Sequence, residues 1–235
     1  TNIIYDAYHN EDNPSEDYLV IVGFINKVFY NSGEITIKRG FPMNEKGEEI
    51  TLDFITESNN RLWGCSTEGH AVYSCKMGDP KNWNCFLGLD NDSYAATVGT
   101  QNEFTGIAAW SGYLFFFKED GFHKLYGTKP SNYEMQWKPC RGVQKGSSKS
   151  ITVVSECLFY KARDAVIMYD GSLNIISNNL GLEPFYDAVG GEYRNKYYLS
   201  MRDTEYNYKT YVYDVTKGTW VIDDYTHLKY MAYAN

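Results

Sequence analysis

The feature that most constrains this chain is a register of short, alternating, aromatic-rich segments that recurs along its length, while helical periodicity is nearly absent. Apolar and polar residues alternate with period 2 through Tyr18–Phe24, Val28–Tyr30 and Glu34–Lys38, and again through Leu52–Ile55, Arg61–Cys65 and Ala71–Cys75. The pattern returns over Gly106–Trp110, Tyr113–Lys118 and Phe122–Tyr126, then over Ser150–Val154, Cys157–Tyr160 and Ala165–Tyr169. Tyr186–Val189, Lys196–Met201 and Lys209–Asp214 repeat it once more. Ser58-Asn59-Asn60, Glu68-Gly69, Ser111-Gly112, Asp120-Gly121, Gly190-Gly191 and Lys217-Gly218 stand between these segments. They read as hairpin turns, because Gly and Asn accept the positive φ that tight turns impose. Aromatic residues make up 17% of the chain, an excess that suits half-buried pleated surfaces.

Laid side by side, the segments fall into units. A first strand begins near Phe54, Ile107, Ile151, Ala188 and Met231, in steps of 53, 44, 37 and 43 residues. An aromatic second strand follows, a third ends on Tyr73, Tyr126, Tyr169 or Tyr213, and Trp83, Trp137, Ile175-Ile176 or Trp220 anchors a fourth. Four short strands in about 40–50 residues is the period of a propeller blade. The expected fold is therefore all-β, a β-propeller of about five four-stranded antiparallel blades. Residues 18–38 supply only three strands, and Leu228–Ala234 supplies one isolated first strand. Pairing the two closes the ring between the N- and C-terminal strands and removes an exposed edge. Residues 1–17, rich in Asp and Glu, read as an acidic tether, leaving 18–235 as a single domain. The opening lacks a secretory-leader pattern, and its start at Thr1 suits a longer parent or a processed start.

Two resemblances follow from particular residues. Lys209 to Trp220, with Gly190-Gly191 upstream, resembles the end of a Kelch repeat, in which Tyr213 and Trp220 would wedge between blades. A longer ordered set begins at Asn60-Arg-Leu-Trp-Gly64, Val72-Tyr73 and Met77-Gly-Asp-Pro-Lys-Asn-Trp83. It continues through Phe104-Thr-Gly-Ile107, Leu114–Glu119, Gly142-Val143, Gly146-Ser147, Leu158-Phe-Tyr160, Val166–Gly171 and Ile176-Ser177. This order, over residues 54–224, resembles structural proteins of tailed bacteriophages, in the head–tail or tail region, built on propeller-like domains. Arg163-Asp-Ala165 departs from it, standing where that pattern prefers a glycine after the acidic residue, so a different turn is expected there.

Charge and chemistry bound the function further. A net charge of −8 and a pI near 5.0 oppose phosphate-backbone binding and docking on anionic lipid. No run reaches the roughly 18 apolar residues of a membrane span. Cys65, Cys75, Cys85, Cys140 and Cys157 lack zinc spacing and read as free thiols of a reducing compartment. His9, His70, His123 and His227 form no metal motif, and His70 and His123 are expected at surface turns. Asp90-Asn-Asp-Ser93 reads as a solvated acidic loop, with calcium as the alternative. Lys138–Lys149 reads as a solvated loop between blades, with phosphate or an acidic partner as the alternative. Neither a nucleophile elbow nor a P-loop occurs. No catalytic, cofactor or metal residue is assigned, and no cofactor is expected.

What the phage resemblance implies is a virion structural or adaptor protein that acts by assembly rather than catalysis, in a homo-oligomeric ring with other virion proteins. Its expected place is the virion, assembled in the cytoplasm of a bacterial host, without specific nucleic-acid binding or membrane contact. The alternatives are a carbohydrate-binding or glycosidase-type propeller, which needs carboxylates and Tyr or Trp converging at one mouth, and a Kelch-like protein-interaction module.

Overall fold

The computed structural model describes residues 4–8, 18–22, 27–31, 34–36, 41–44, 46–180 and 184–231, the first four stretches as backbone. Among these residues twenty strands form, with two single-turn 3-10 helices at Pro130–Asn132 and Ser148–Ser150 and no α-helix. The strands make five four-stranded sheets, each in simple sequence order. The first sheet is β1 (Ile4–Tyr8), β2 (Tyr18–Val22), β3 (Lys27–Asn31) and β4 (Glu34–Thr36); the second is β5 (Phe54–Ser58), β6 (Arg61–Cys65), β7 (Ala71–Ser74) and β8 (Tyr94–Thr97). The third holds β9 (Gly106–Trp110), β10 (Tyr113–Lys118), β11 (Gly121–Tyr126) and β12 (Glu134–Pro139). β13 (Thr152–Val154), β14 (Cys157–Lys161), β15 (Val166–Tyr169) and β16 (Leu173–Ile175) form the fourth. β17 (Tyr186–Tyr193), β18 (Lys196–Arg202), β19 (Tyr208–Asp214) and β20 (Thr219–Asp224) form the fifth. Strand pairing in the first, second, fourth and fifth sheets is antiparallel.

The repeat expected from the sequence is visible in the turns. In four consecutive sheets the first hairpin closes on two residues that both have positive φ: Asn59-Asn60, Ser111-Gly112, Ser155-Glu156 and Arg194-Asn195. Such two-residue turns match the right-handed twist of the strands they join. Two of them share a further device. The Glu57 carboxylate accepts the Asn60 N–H at 3.0 Å, and the Glu192 carboxylate accepts the Asn195 N–H at 3.1 Å, each three residues upstream.

Four expectations need correction. The strand beside β2 is β1, in register from Ile4↔Val22 to Tyr8↔Tyr18, within the stretch expected to be a tether. Ile-Tyr-Asp-Ala-Tyr alternates well enough to pair, and the acidic residues after it masked the signal. Leu228–Met231, expected as the strand closing that sheet, is not a strand, and 232–234 lie outside the described residues, as do 9–17. Gly190-Gly191 lies inside β17 rather than in a turn. A Cβ on Gly190 would come within 2.7 Å of the Ser150 carbonyl and 2.8 Å of the Tyr197 ring, so close approach, not turn geometry, requires glycine there. Finally, the fourth strand of the second sheet is β8, whereas Trp83 sits in the long connection before it.

The chain divides into two compact units: residues 1–115 with 124–136, and residues 116–123 with 137–235. In the first, β5 lies beside both β1 and β9, so first strands neighbour one another. Its core includes Leu52, Ile55, Leu62, Cys75 and Trp83, and Trp63 packs against Tyr94 and Tyr133 at 5.9 and 5.3 Å. In the second unit β13 lies beside β17. The two sheets that follow one another there interlock through aromatics: Phe159 meets Tyr197 at 5.0 Å, and Trp220 packs on Tyr213 at 5.0 Å while its indole N–H donates to the Ile176 carbonyl at 2.7 Å. Tyr213, whose ring also lies 6.1 Å from that of Phe159, and Trp220 thus link the fourth and fifth sheets. Large offset or edge-on aromatic pairs of this kind stabilise by about 0.5–1.5 kcal/mol each beyond their buried area.

Candidate functional site

The ordered segment Asn60–Trp83 builds one device. Arg61, wholly buried at the start of β6, turns its guanidinium onto main-chain carbonyls: Nη1 donates to Cys75 at 3.0 Å and to Asp92, and Nη2 donates to Asp90 at 2.9 Å. Gly78, at φ +74°, donates its N–H to the Asn60 carbonyl at 3.1 Å, and the Trp83 indole N–H donates to Pro80 at 3.0 Å. The connection between β7 and β8 is therefore pinned at its base by the residues that carried the sequence resemblance.

The tip of that connection, residues 85–92, is organised around Asp92. Its carboxylate accepts the N–H groups of Leu87, Gly88 (2.6 Å) and Leu89 (3.0 Å) and the Cys85 thiol (3.4 Å). Burial opposes the charge, but these donors outweigh it and hold the carboxyl below its ordinary range. Asp92 is 3% exposed, so it serves the loop rather than solvent or a cation, contrary to the solvated acidic loop expected for 90–93. Asp90 does lie at the surface, paired with Lys129 at 3.0 Å. Gly88, at φ +85°, allows the turn that converges the three N–H groups.

This stiff frame carries three large apolar side chains outward. Phe86 is 60%, Leu87 74% and Leu89 53% exposed. Exposed Met43 belongs to the same neighbourhood, since its N–H binds the Asn84 side chain at 3.0 Å, two residues before Phe86. Three large apolar side chains exposed within four successive residues are more than the singly scattered apolar residues of an ordinary surface. The sequence signal for it, Phe86-Leu-Gly-Leu89, is an apolar run with no alternation, which strand-based reading passes over.

The other candidates resolve as follows. His123 is buried in β11, not at a surface turn; its ring lies 4.7 Å from Trp137, and burial, with Lys118 nearby, pulls its pKa down to about 4. The strand, expected from Phe122, begins at Gly121; what differs is burial, since three successive residues, Gly121, Phe122 and His123, are all buried there. His70 is exposed, as expected. His227 stacks on Tyr208 at 3.7 Å; His9 lies outside the described residues.

Much of the basic stretch 138–149 is not a solvated loop. Val143, Gln144 and Ser147 are buried, Ser147 donates to Gln144 at 3.5 Å, and the buried Lys161 amine donates to Gln144 at 3.2 Å and to two main-chain carbonyls. Burial lowers the Lys161 pKa to about 8. Those carbonyls belong to Ala162 and Arg163, so Lys161 holds the 162–165 turn, which closes through Ala162 N–H to Ala165 and needs no positive φ. That is why no glycine is required at the departure noted in the sequence.

All five cysteines are free thiols, and burial raises Cys75 to about 12 and Cys140 to about 11. Among the described residues no group of three or more His, Cys, Asp or Glu side chains could hold a metal ion, and no helix is long and apolar enough to cross a membrane.

No family model matches the chain, and no curated protein matches it by sequence. A solved structure of a candidate exported protein from Bacteroides fragilis is similar in fold, with a TM-score of 0.54 at 11% identity over 94% of this chain and 75% of that one. The likeness is one of fold alone.

Proposed function

We propose that the five sheets are blades of a β-propeller and that the protein is a structural or adaptor component of a tailed-phage virion, in the head–tail or tail region. On this reading it works by docking, against other virion proteins and copies of itself, with no turnover of its own. The neighbouring first strands within each unit, and the in-order succession of four-stranded sheets, support the propeller. The ordered resemblance over residues 54–224 supports the phage assignment.

The observation that carries the docking role is the loop of Phe86, Leu87 and Leu89, held rigid by buried Arg61 and Asp92. Evolution toward solubility alone would not spend a buried Arg and a buried Asp to project three large apolar groups into water. On a partner, each such side chain contributes about 1.5–3 kcal/mol when fully buried. A preordered loop loses little entropy on binding.

The experiment is co-assembly with portal, head–tail and tail proteins, followed by sedimentation and electron microscopy, for the parent and for a Phe86→Ser/Leu87→Ser/Leu89→Ser variant. The parent is expected to enter particles and the folded variant to stay behind. A parent that joins no particle, or a variant that joins equally well, would contradict the proposal.

A further inference from the structure

The second unit carries a different kind of surface. At the end of the fifth sheet, the β18–β19 turn and the segment after β20 flank an open cleft of about 740 Å³. Its walls present Tyr206, 73% exposed, and Tyr225, 70% exposed, with the stacked Tyr208–His227 pair between strand and segment. Polar groups stand among the rings: Asp203, Glu205, Asn207 and Lys209.

Both walls are built in advance. In the turn, Asp203 Oδ1 accepts the N–H groups of Glu205 and Asn207, each at 2.9 Å, and the Asp203 N–H donates to the Asn207 carbonyl at 2.9 Å. Those donors, that of Asn207 first, keep the Asp203 carboxyl below its ordinary range and thus ionised at neutral pH. Tyr206 is left at φ +65°, a conformation that non-glycine residues seldom adopt. One face of the Tyr206 ring meets the Arg202 guanidinium at 4.5 Å, and Arg202 also pairs with Asp187. Across the cleft, the Thr226 carbonyl accepts the hydroxyls of Ser200 (3.2 Å) and Thr210 (3.4 Å), which fixes the segment bearing Tyr225 and His227 to β18 and β19.

We infer that this cleft is a binding site for a neutral oligosaccharide. Exposed tyrosine rings on a preordered turn and a tied-down segment are what the C–H faces of a pyranose stack on, and the carboxylate, amide and phenol groups among them suit its hydroxyls. The volume lies within the range of about 300–1,000 Å³ common to small-ligand clefts. Charge selects against anionic ligands: Arg202 is already matched by Asp187, while Asp203 and Glu205 add negative charge that Lys209 only partly offsets. A phosphate or sialylated glycan is therefore disfavoured. The site does not depend on the docking reading of the 85–92 loop, which belongs to the other unit.

Its test is ligand-observed NMR and titration calorimetry on the whole chain, with maltotriose, cellotriose, chitotriose and xylotriose as neutral probes and sialyllactose as an acidic one. At least one neutral trisaccharide is expected to bind with a dissociation constant of about a millimolar or tighter. Tyr206→Gly, which suits the positive φ, and Tyr225→Ala are each expected to weaken binding about tenfold. Tyr193→Ala, at the opposite end of the same sheet, is expected to leave it unchanged. Both cleft residues are exposed, so unchanged melting of the variants checks that the fold survives. No binding by any neutral probe, preference for sialyllactose, or binding that persists in the Tyr206→Gly/Tyr225→Ala double variant would overturn the inference.

Discussion

The Tyr197 hydroxyl donates a 2.7 Å hydrogen bond to the main-chain carbonyl of Ser150, 47 residues earlier, with both residues wholly buried. It ties β18 of the fifth sheet to the segment that leads into the fourth. Tyr160, in the fourth sheet, donates to the Arg141 carbonyl in the same connecting segment at 2.8 Å. Tyr197→Phe removes a donor and leaves a buried acceptor unsatisfied, so a loss of about 1–2 kcal/mol in urea unfolding is expected. Burial raises the pKa of both hydroxyls. The folded tyrosines therefore stay neutral above pH 10 while those of the unfolded chain ionise, and stability falls as pH climbs beyond 10. The Tyr160→Phe/Tyr197→Phe variant is expected to show a shallower alkaline fall.

His123 sets the acid limb. Its folded pKa of about 4 lies below the ordinary 6.5, so the unfolded chain takes up a proton first as pH falls. Stability is expected to decline between pH 6.5 and 4 and then level with respect to this group, by on the order of 2–3 kcal/mol. Urea titrations of the parent and of His123→Gln across that window provide the check. An equal slope in both would rule out this origin.

Trp83 is a core residue although no strand contains it. It is 2% exposed and packs with Leu52, Ile55, Leu62 and Cys75. Trp83→Ala is expected to cost about 3–5 kcal/mol and to loosen the 85–92 loop above it. Denaturant unfolding gives the first quantity, and hydrogen exchange at Leu87–Leu89 the second.

The thiols are expected to be sluggish. With Cys140 near 11 and Cys75 near 12, on the order of a thousandth or less of either is thiolate at pH 8. Alkylation by iodoacetamide in the native state should be far slower than in urea; rapid native labelling of Cys140 would contradict its environment.

Turn chemistry and alternation carried most of the strand pattern. β6, β9 and β10 fall where Asn59-Asn60 and Ser111-Gly112 and the flanking aromatics put them. What escaped was set by tertiary contacts. Tyr94–Thr97 offers two alanines and alternates only half-buried with exposed positions, so β8 has little signal of its own. Gly190 looked like a turn residue because sequence shows its missing side chain but not the Tyr197 ring that needs the space. Asp92 looked solvated because its donors are backbone N–H groups, invisible in a sequence. The 85–92 loop and the tyrosine cleft share this origin: each is assembled from exposed residues whose positions are fixed by buried polar anchors, Arg61 and Asp92 for one, Ser200 and Thr210 for the other.

The most direct test of the docking account is site-specific photo-crosslinking in the assembled particle, with benzoylphenylalanine at Leu87 and, as a reference, at exposed Ser172. The account predicts that the probe at position 87 joins this chain to a second virion subunit in particles but not in the isolated protein, while the probe at 172 does so far less. Efficient intersubunit crosslinking from 172 with none from 87 would contradict it.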